Sequence, residues 1–180
     1  MDSWIDSYWE PDEIIFRRLR QLNPAALDCW CSAARTLARS FSPSPQPKAA
    51  SRITGRMGIK VREGKWSVAD GRCLYLAECL FDPPVITINT MGICELKAAF
   101  RELSCENLYE WTSEESITET VIAHELYHIA TGRCSRPSAE LAAHCFARAL
   151  LDLPFSPLLH MEILRRRIHV ASPCGHLQWR

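Results

Sequence analysis

Two histidines four residues apart, His124 and His128, flank Glu125 in the stretch IAHELYHIA. On a helix, side chains at that spacing project from one face about a turn apart, close enough for two imidazole nitrogens to grip one ion. A carboxylate between them can take a proton from water that a divalent metal has acidified, so each letter of H-E-x-x-H has a job in metal-assisted hydrolysis. The bland alternative is a solvated helix face that carries polar residues by coincidence.

The sequence that follows bears on that choice. Glu140, His144, Ala147 and Leu151 recur at intervals of four, three and four and share one helical stripe. If the turn around Gly132 folds this second helix back on the first, Glu140 can supply a third protein ligand and leave a fourth position for water. His144, one turn further on, could then bond to a ligating histidine. A three-histidine site with His144 in place of Glu140 is the rival assignment.

The elements that must hold these residues can be read from spacing. Thr112 followed three residues later by Glu115 has the form of a capping box at the start of the histidine helix, and Gly132 ends that helix. Ile122, Leu126, Ile129 and Ala130 lie opposite the histidines, which predicts one buried face and a histidine face open to a cleft. The next helix is expected from about Pro137 to the residue before Pro154, and a last one over 157–169. Upstream, Asp12 can cap a helix carrying Ile15, Phe16, Leu19 and Leu22. Asn23-Pro24 opens another, with Leu27, Trp30, Ala34, Leu37 and Phe41 on one face.

The stretch SFSPSPQPKAAS (40–51) reads as a linker. Between Arg52 and Thr90 the patterns GIKVREGKW, CLYLAECL and PPVITINT predict about three strands, and residues 91–111 a helix burying Leu96, Ala99, Phe100 and Leu103. The reading is an α+β fold, a small, mostly antiparallel sheet packed on helices. Residues 1–50 form a helical segment and linker, and 51–180 the domain that carries the site.

Composition narrows the class. At 180 residues, 47% apolar and 23% charged, the chain suits one globular domain. With 21 basic and 21 acidic residues there is no net field to draw it to nucleic acid or anionic lipid. No segment reaches the roughly 18 apolar residues of a membrane span. The acidic, Pro-broken start MDSWIDSYWEPDE lacks the features of a signal peptide. Nine cysteines, an odd number without a CxxC pair, read mostly as small buried hydrophobes in a reducing, cytoplasmic setting.

The segments ITETVIAHELYHIA and AELAAHCFARALLDLP, with YLAECLFDPPVITIN before them, resemble the metallopeptidase-like domains of the ImmA/IrrE group, gluzincin-type proteins of bacteria and phages linked to repressor inactivation and stress response. The likeness covers roughly residues 55–155. It implies a zincin-like fold in which His124, His128 and Glu140 bind Zn2+ and Glu125 is the general base. Where that group usually shows Asp or Asn, this chain has His144. The resemblance also implies a regulatory protease whose protein substrate is a helix-turn-helix repressor or another regulator. Members often carry a helix-turn-helix domain too, for which the first 45 residues leave no room.

Two other readings belong to different classes: a zinc-holding interaction module that displaces such a regulator without cutting it, and the toxin of a two-gene pair. Tyr127, Arg133 and Arg136 lie near the expected cleft as candidate oxyanion stabilisers. His160, His169 and His176 read as surface histidines, and a metal cluster of His169, Cys174 and His176 matches no template. The basic run 165–167 suits a helix C-terminus and solvent rather than nucleic acid.

Overall fold

The computed structural model describes residues 24–41, 49–66, 76–102, 111–132 and 137–171. The expected helix after Asp12, the linker prolines, Leu103, Arg133 and Arg136 lie outside these residues, as do Cys174 and His176.

Helix α1 (Pro24–Phe41) begins at the proline, whose missing N–H costs nothing in a first turn. It turns Cys31, Ala34 and Ala38 into the core, with Leu37 and Phe41 packed against it. A short helix absent from the sequence reading follows, α2 (Ala50–Arg56), which buries Ala50, Ile53 and Thr54. Its stretch holds a single large apolar residue, too little to show a period. The Ser51 N–H donates to Glu119 Oε2 at 3.1 Å, a long-range contact no local pattern could announce.

Strands β1 (Lys60–Gly64), β2 (Ala77–Phe81) and β3 (Pro84–Asn89) form one sheet in the order β1-β3-β2. Asp82 and Pro83 join β2 to β3, so that pair is antiparallel. β1 pairs with β3 in parallel, Lys60 opposite Val85 and Gly64 opposite Asn89. The sheet is therefore mixed rather than mostly antiparallel. The chain carries β2 to the far edge before β3 returns to the middle, where Val85, Ile86, Thr87 and Ile88 are all buried. A continuous apolar run suits a central strand, whereas the exposed, charged β1 suits an edge.

Helix α3 (Thr90–Glu102) leaves β3 directly and buries Ile93, Leu96, Ala99 and Phe100. Helix α4 (Glu114–Thr131) is capped by Ser113, whose hydroxyl accepts from Ser116 N–H at 3.1 Å, one residue on from the expected Thr112. Glu114 and Glu115 in its first turn complement the helix dipole. Gly132 closes it in the left-handed region at φ 62°, a conformation that costs glycine little. Helix α5 (Pro137–Leu151) follows, then α6 (Leu158–Ala171).

α4 is the centre of the arrangement, packed on β2, β3, α2, α3 and α5, while α1 lies along α5 and α6 along α3. One core cluster joins Cys31, Ala34 and Ala38 of α1 to Leu126 of α4 and Phe146 of α5, so it spans both sides of residue 50. Among the described residues, no helix is long and apolar enough to cross a membrane.

Candidate metal centre

α4 sets the His124 and His128 rings one turn apart, with centroids 4.9 Å from each other. α5 approaches α4 with Tyr127 against Phe146 at 5.6 Å, and this seat carries Glu140 to the two imidazoles. His124 Nε2 lies 3.2 Å from Glu140 Oε2. His128 Nε2 lies 3.5 Å from Glu140 Oε1. The two Nε2 atoms are themselves 3.1 Å apart.

That cluster can be tested against an ion. Ligand atoms about 2.0–2.1 Å from a tetrahedral metal stand about 3.3 Å from one another. The nitrogen–nitrogen separation and that from His124 Nε2 to Glu140 Oε2 lie close to that length, His128 meets the other carboxylate oxygen, and one ligand atom from each residue lies within 4.8 Å of the others, so His124, His128 and Glu140 form a group that can hold a metal ion. In addition, His124 Nδ1 is buried with no hydrogen-bond partner among the described residues, leaving Nε2 as the atom through which that ring acts.

Charge is arranged to match. Burial pushes the Glu140 carboxyl up, but hydrogen bonds and positive charge from His124 and His128 outweigh it and hold the group well below the usual carboxylate range. The carboxylate is thus kept in the ionised form that a metal needs from its ligand.

His144 occupies a different place. Its ring lies against His124 at a centroid distance of 4.5 Å and an interplanar angle of 56°, a tilted ring contact, and its Nδ1 is buried without a partner among the described residues. Burial, then the neighbouring His124 charge, hold it well below an ordinary histidine, against an opposing pull from Glu140. It remains a neutral ring beside the ligand group, not a member of it.

Glu125, next in sequence to His124, is half-buried and makes no hydrogen bond or ion pair among the described residues. The expected split of α4 into a buried face and an open histidine face holds for Ile122 and Leu126, which are buried, and for Ile129, which packs against the core, but not beyond them. His128 is buried and His124 half-buried, while Ala130, placed on the buried face, is exposed. Cover on several sides, from the sheet, α2, α3 and α5, overrides the helix's own pattern.

Other candidates sort as follows. Tyr127 is a core residue against Phe146 and His128 rather than a group facing a cleft. Arg167 reaches Glu102 at 2.8 Å and Glu95 at 3.2 Å, so its charge ties α6 to α3. His160, expected at the surface, is only 2% exposed and packs against Phe100 and Phe155. The missed signal was its place beside Leu159, Ile163 and Leu164, which make up the buried stripe of α6.

No protein-family model, curated protein or solved structure matches the chain.

Proposed function

We propose that the protein is a zinc metallopeptidase of the zincin kind, in which His124, His128 and Glu140 hold the ion and Glu125 is the general base. The observation that carries the reading is the cluster of two imidazole nitrogens 3.1 Å apart and one carboxylate whose two oxygens lie 3.2 Å from His124 Nε2 and 3.5 Å from His128 Nε2. Two nitrogens and one oxygen suit Zn2+ and leave a fourth coordination position open, the arrangement of catalytic rather than structural zinc. Bound zinc would supply Lewis acidity, polarising a scissile carbonyl and bringing water close to ionisation at neutral pH.

The chain's own residues do the rest. Glu125, next in sequence to His124, accepts the proton of the attacking water and passes it to the leaving amine. His144 fills the space beside His124 with a neutral ring and so limits how far the ligand ring can turn. An extended substrate can add to a sheet edge. β3 is paired on both sides, so the strand open to this is β2, the edge strand that packs on α4. The resemblance of the histidine and glutamate helices to the ImmA/IrrE group makes a helix-turn-helix regulator the first substrate to try.

The test compares new protein N-termini in cells expressing wild type or Glu125→Gln. Removing the base should lower cleavage by about 10²–10⁴-fold while zinc content is unchanged. If the biological effect persists undiminished in Glu125→Gln, hydrolysis is not the activity, and a zinc-holding module that displaces its partner replaces it.

A further inference from the structure

α1 meets α5 through small side chains: Ala34 and Ala38 on the first helix, Ala142, Ala143 and Ala147 on the second, all at most 1% exposed. Set into this core is a pair of thiols. Cys31 of α1 and Cys145 of α5 have their Sγ atoms 3.1 Å apart, although they are 114 positions apart in sequence. They are 5% and 3% exposed. A disulfide holds its sulfurs about 2.05 Å apart, so closing the bond needs an approach of about 1 Å between side chains already in contact.

We propose that Cys31 and Cys145 form a reversible disulfide that clamps α1 to the helix carrying Glu140. A peroxide is the oxidant small enough to reach so closed a pair. It converts the Cys31 thiol, the more exposed of the two, to a sulfenic acid and releases water. The Cys145 sulfur then attacks the Cys31 sulfur and expels the hydroxyl, which leaves as a second water with the Cys145 proton. Two thiols and one peroxide become one disulfide and two waters. A reducing dithiol reverses the step by exchange.

Such a bond closes a long loop, which constrains the unfolded chain more than a short one would. It also fixes the α1 face of α5, five residues beyond Glu140. Neither consequence depends on the metal or on peptide hydrolysis. The exposed Cys94 is an internal control, since it should be alkylated readily in the native protein while Cys31 and Cys145 resist.

The experiment treats the full native chain with hydrogen peroxide, blocks remaining thiols by alkylation in denaturant, and digests with trypsin without reduction. A cross-link between peptides 21–35 and 134–148 is expected, about 2 Da lighter than the sum of the two peptides each alkylated at its other cysteine, with fragment ions placing it on Cys31 and Cys145. Because Cys29 and Cys134 lie in the same two peptides, Cys29→Ser and Cys134→Ser should retain the cross-link, and Cys31→Ala and Cys145→Ala should lose it. The oxidised protein should melt about 5–15 °C higher than the reduced one, a gain that dithiothreitol removes. The mapping on wild type decides the matter even if a cysteine variant fails to fold. A link through Cys29 or Cys134, or full alkylation of both Cys31 and Cys145 after peroxide, overturns the proposal.

Discussion

His124 Nε2 lies 3.2 Å from Glu140 Oε2, although the two residues are on different helices and sixteen positions apart. The left-handed Gly132 at the end of α4 and the packing of Phe146 on Tyr127 bring them together. Since His128 shares the same carboxylate, an ion placed here would bind folded protein and have no preformed site in the unfolded chain.

Zinc should therefore stabilise the fold. At about 100 times its dissociation constant, a ligand specific for the folded state adds about 2.7 kcal/mol, which for a chain of this size raises the melting temperature by roughly 5–10 °C. Differential scanning calorimetry with zinc, then with excess chelator, should show the rise and its reversal. Glu140→Ala should show neither.

His160 predicts a pH dependence separate from the ligand group. Burial against Phe100 and Phe155 pushes it down to about 4. An unfolded histidine titrates near 6.5, so between these values the unfolded chain binds more protons, and stability falls as pH drops through that window. The contribution lost by about pH 5 is about 2 kcal/mol, and about 3 kcal/mol once pH is below the folded value. Urea unfolding of wild type and His160→Leu at neutral pH and at about pH 5 checks this: the variant should lose about 2 kcal/mol less. Equal losses would mean that His160 does not titrate differently on folding.

Phe146 should be a costly residue to truncate. It is fully buried, with Tyr127 at 5.6 Å and Phe41 at 5.9 Å from its ring centre, so one side chain joins α1, α4 and α5. Phe146→Ala should lose about 3–5 kcal/mol in denaturant unfolding, the usual cost of a cavity of that size. A loss below about 1 kcal/mol would show that the three helices do not meet there as described.

The cluster of His124, His128 and Glu140 was legible in the sequence because helical periodicity is local: His124 and His128 had to be neighbours, and Glu140 and His144 had to share a stripe. Which of that second pair would face the ion depends on how α5 rolls on α4, a tertiary quantity with no trace in spacing. The strands were also legible, but not their order, since a strand's pattern reports how buried it is and not which neighbour it takes. Continuous burial of β3 was the one hint that it lies in the middle. Thr112 and Ser113 compete as adjacent capping residues, and spacing alone favoured the wrong one. His160 reads as a surface residue by type alone, whereas its stripe of Leu159, Ile163 and Leu164 marks the position as core.

The most direct test of the account is metal analysis of the purified wild type beside Glu140→Ala and His144→Ala. One equivalent of zinc in wild type, retained in His144→Ala and lost in Glu140→Ala, is the predicted result. Zinc lost only from His144→Ala would contradict the ligand set, and a wild type that takes up no zinc would contradict the metal centre itself.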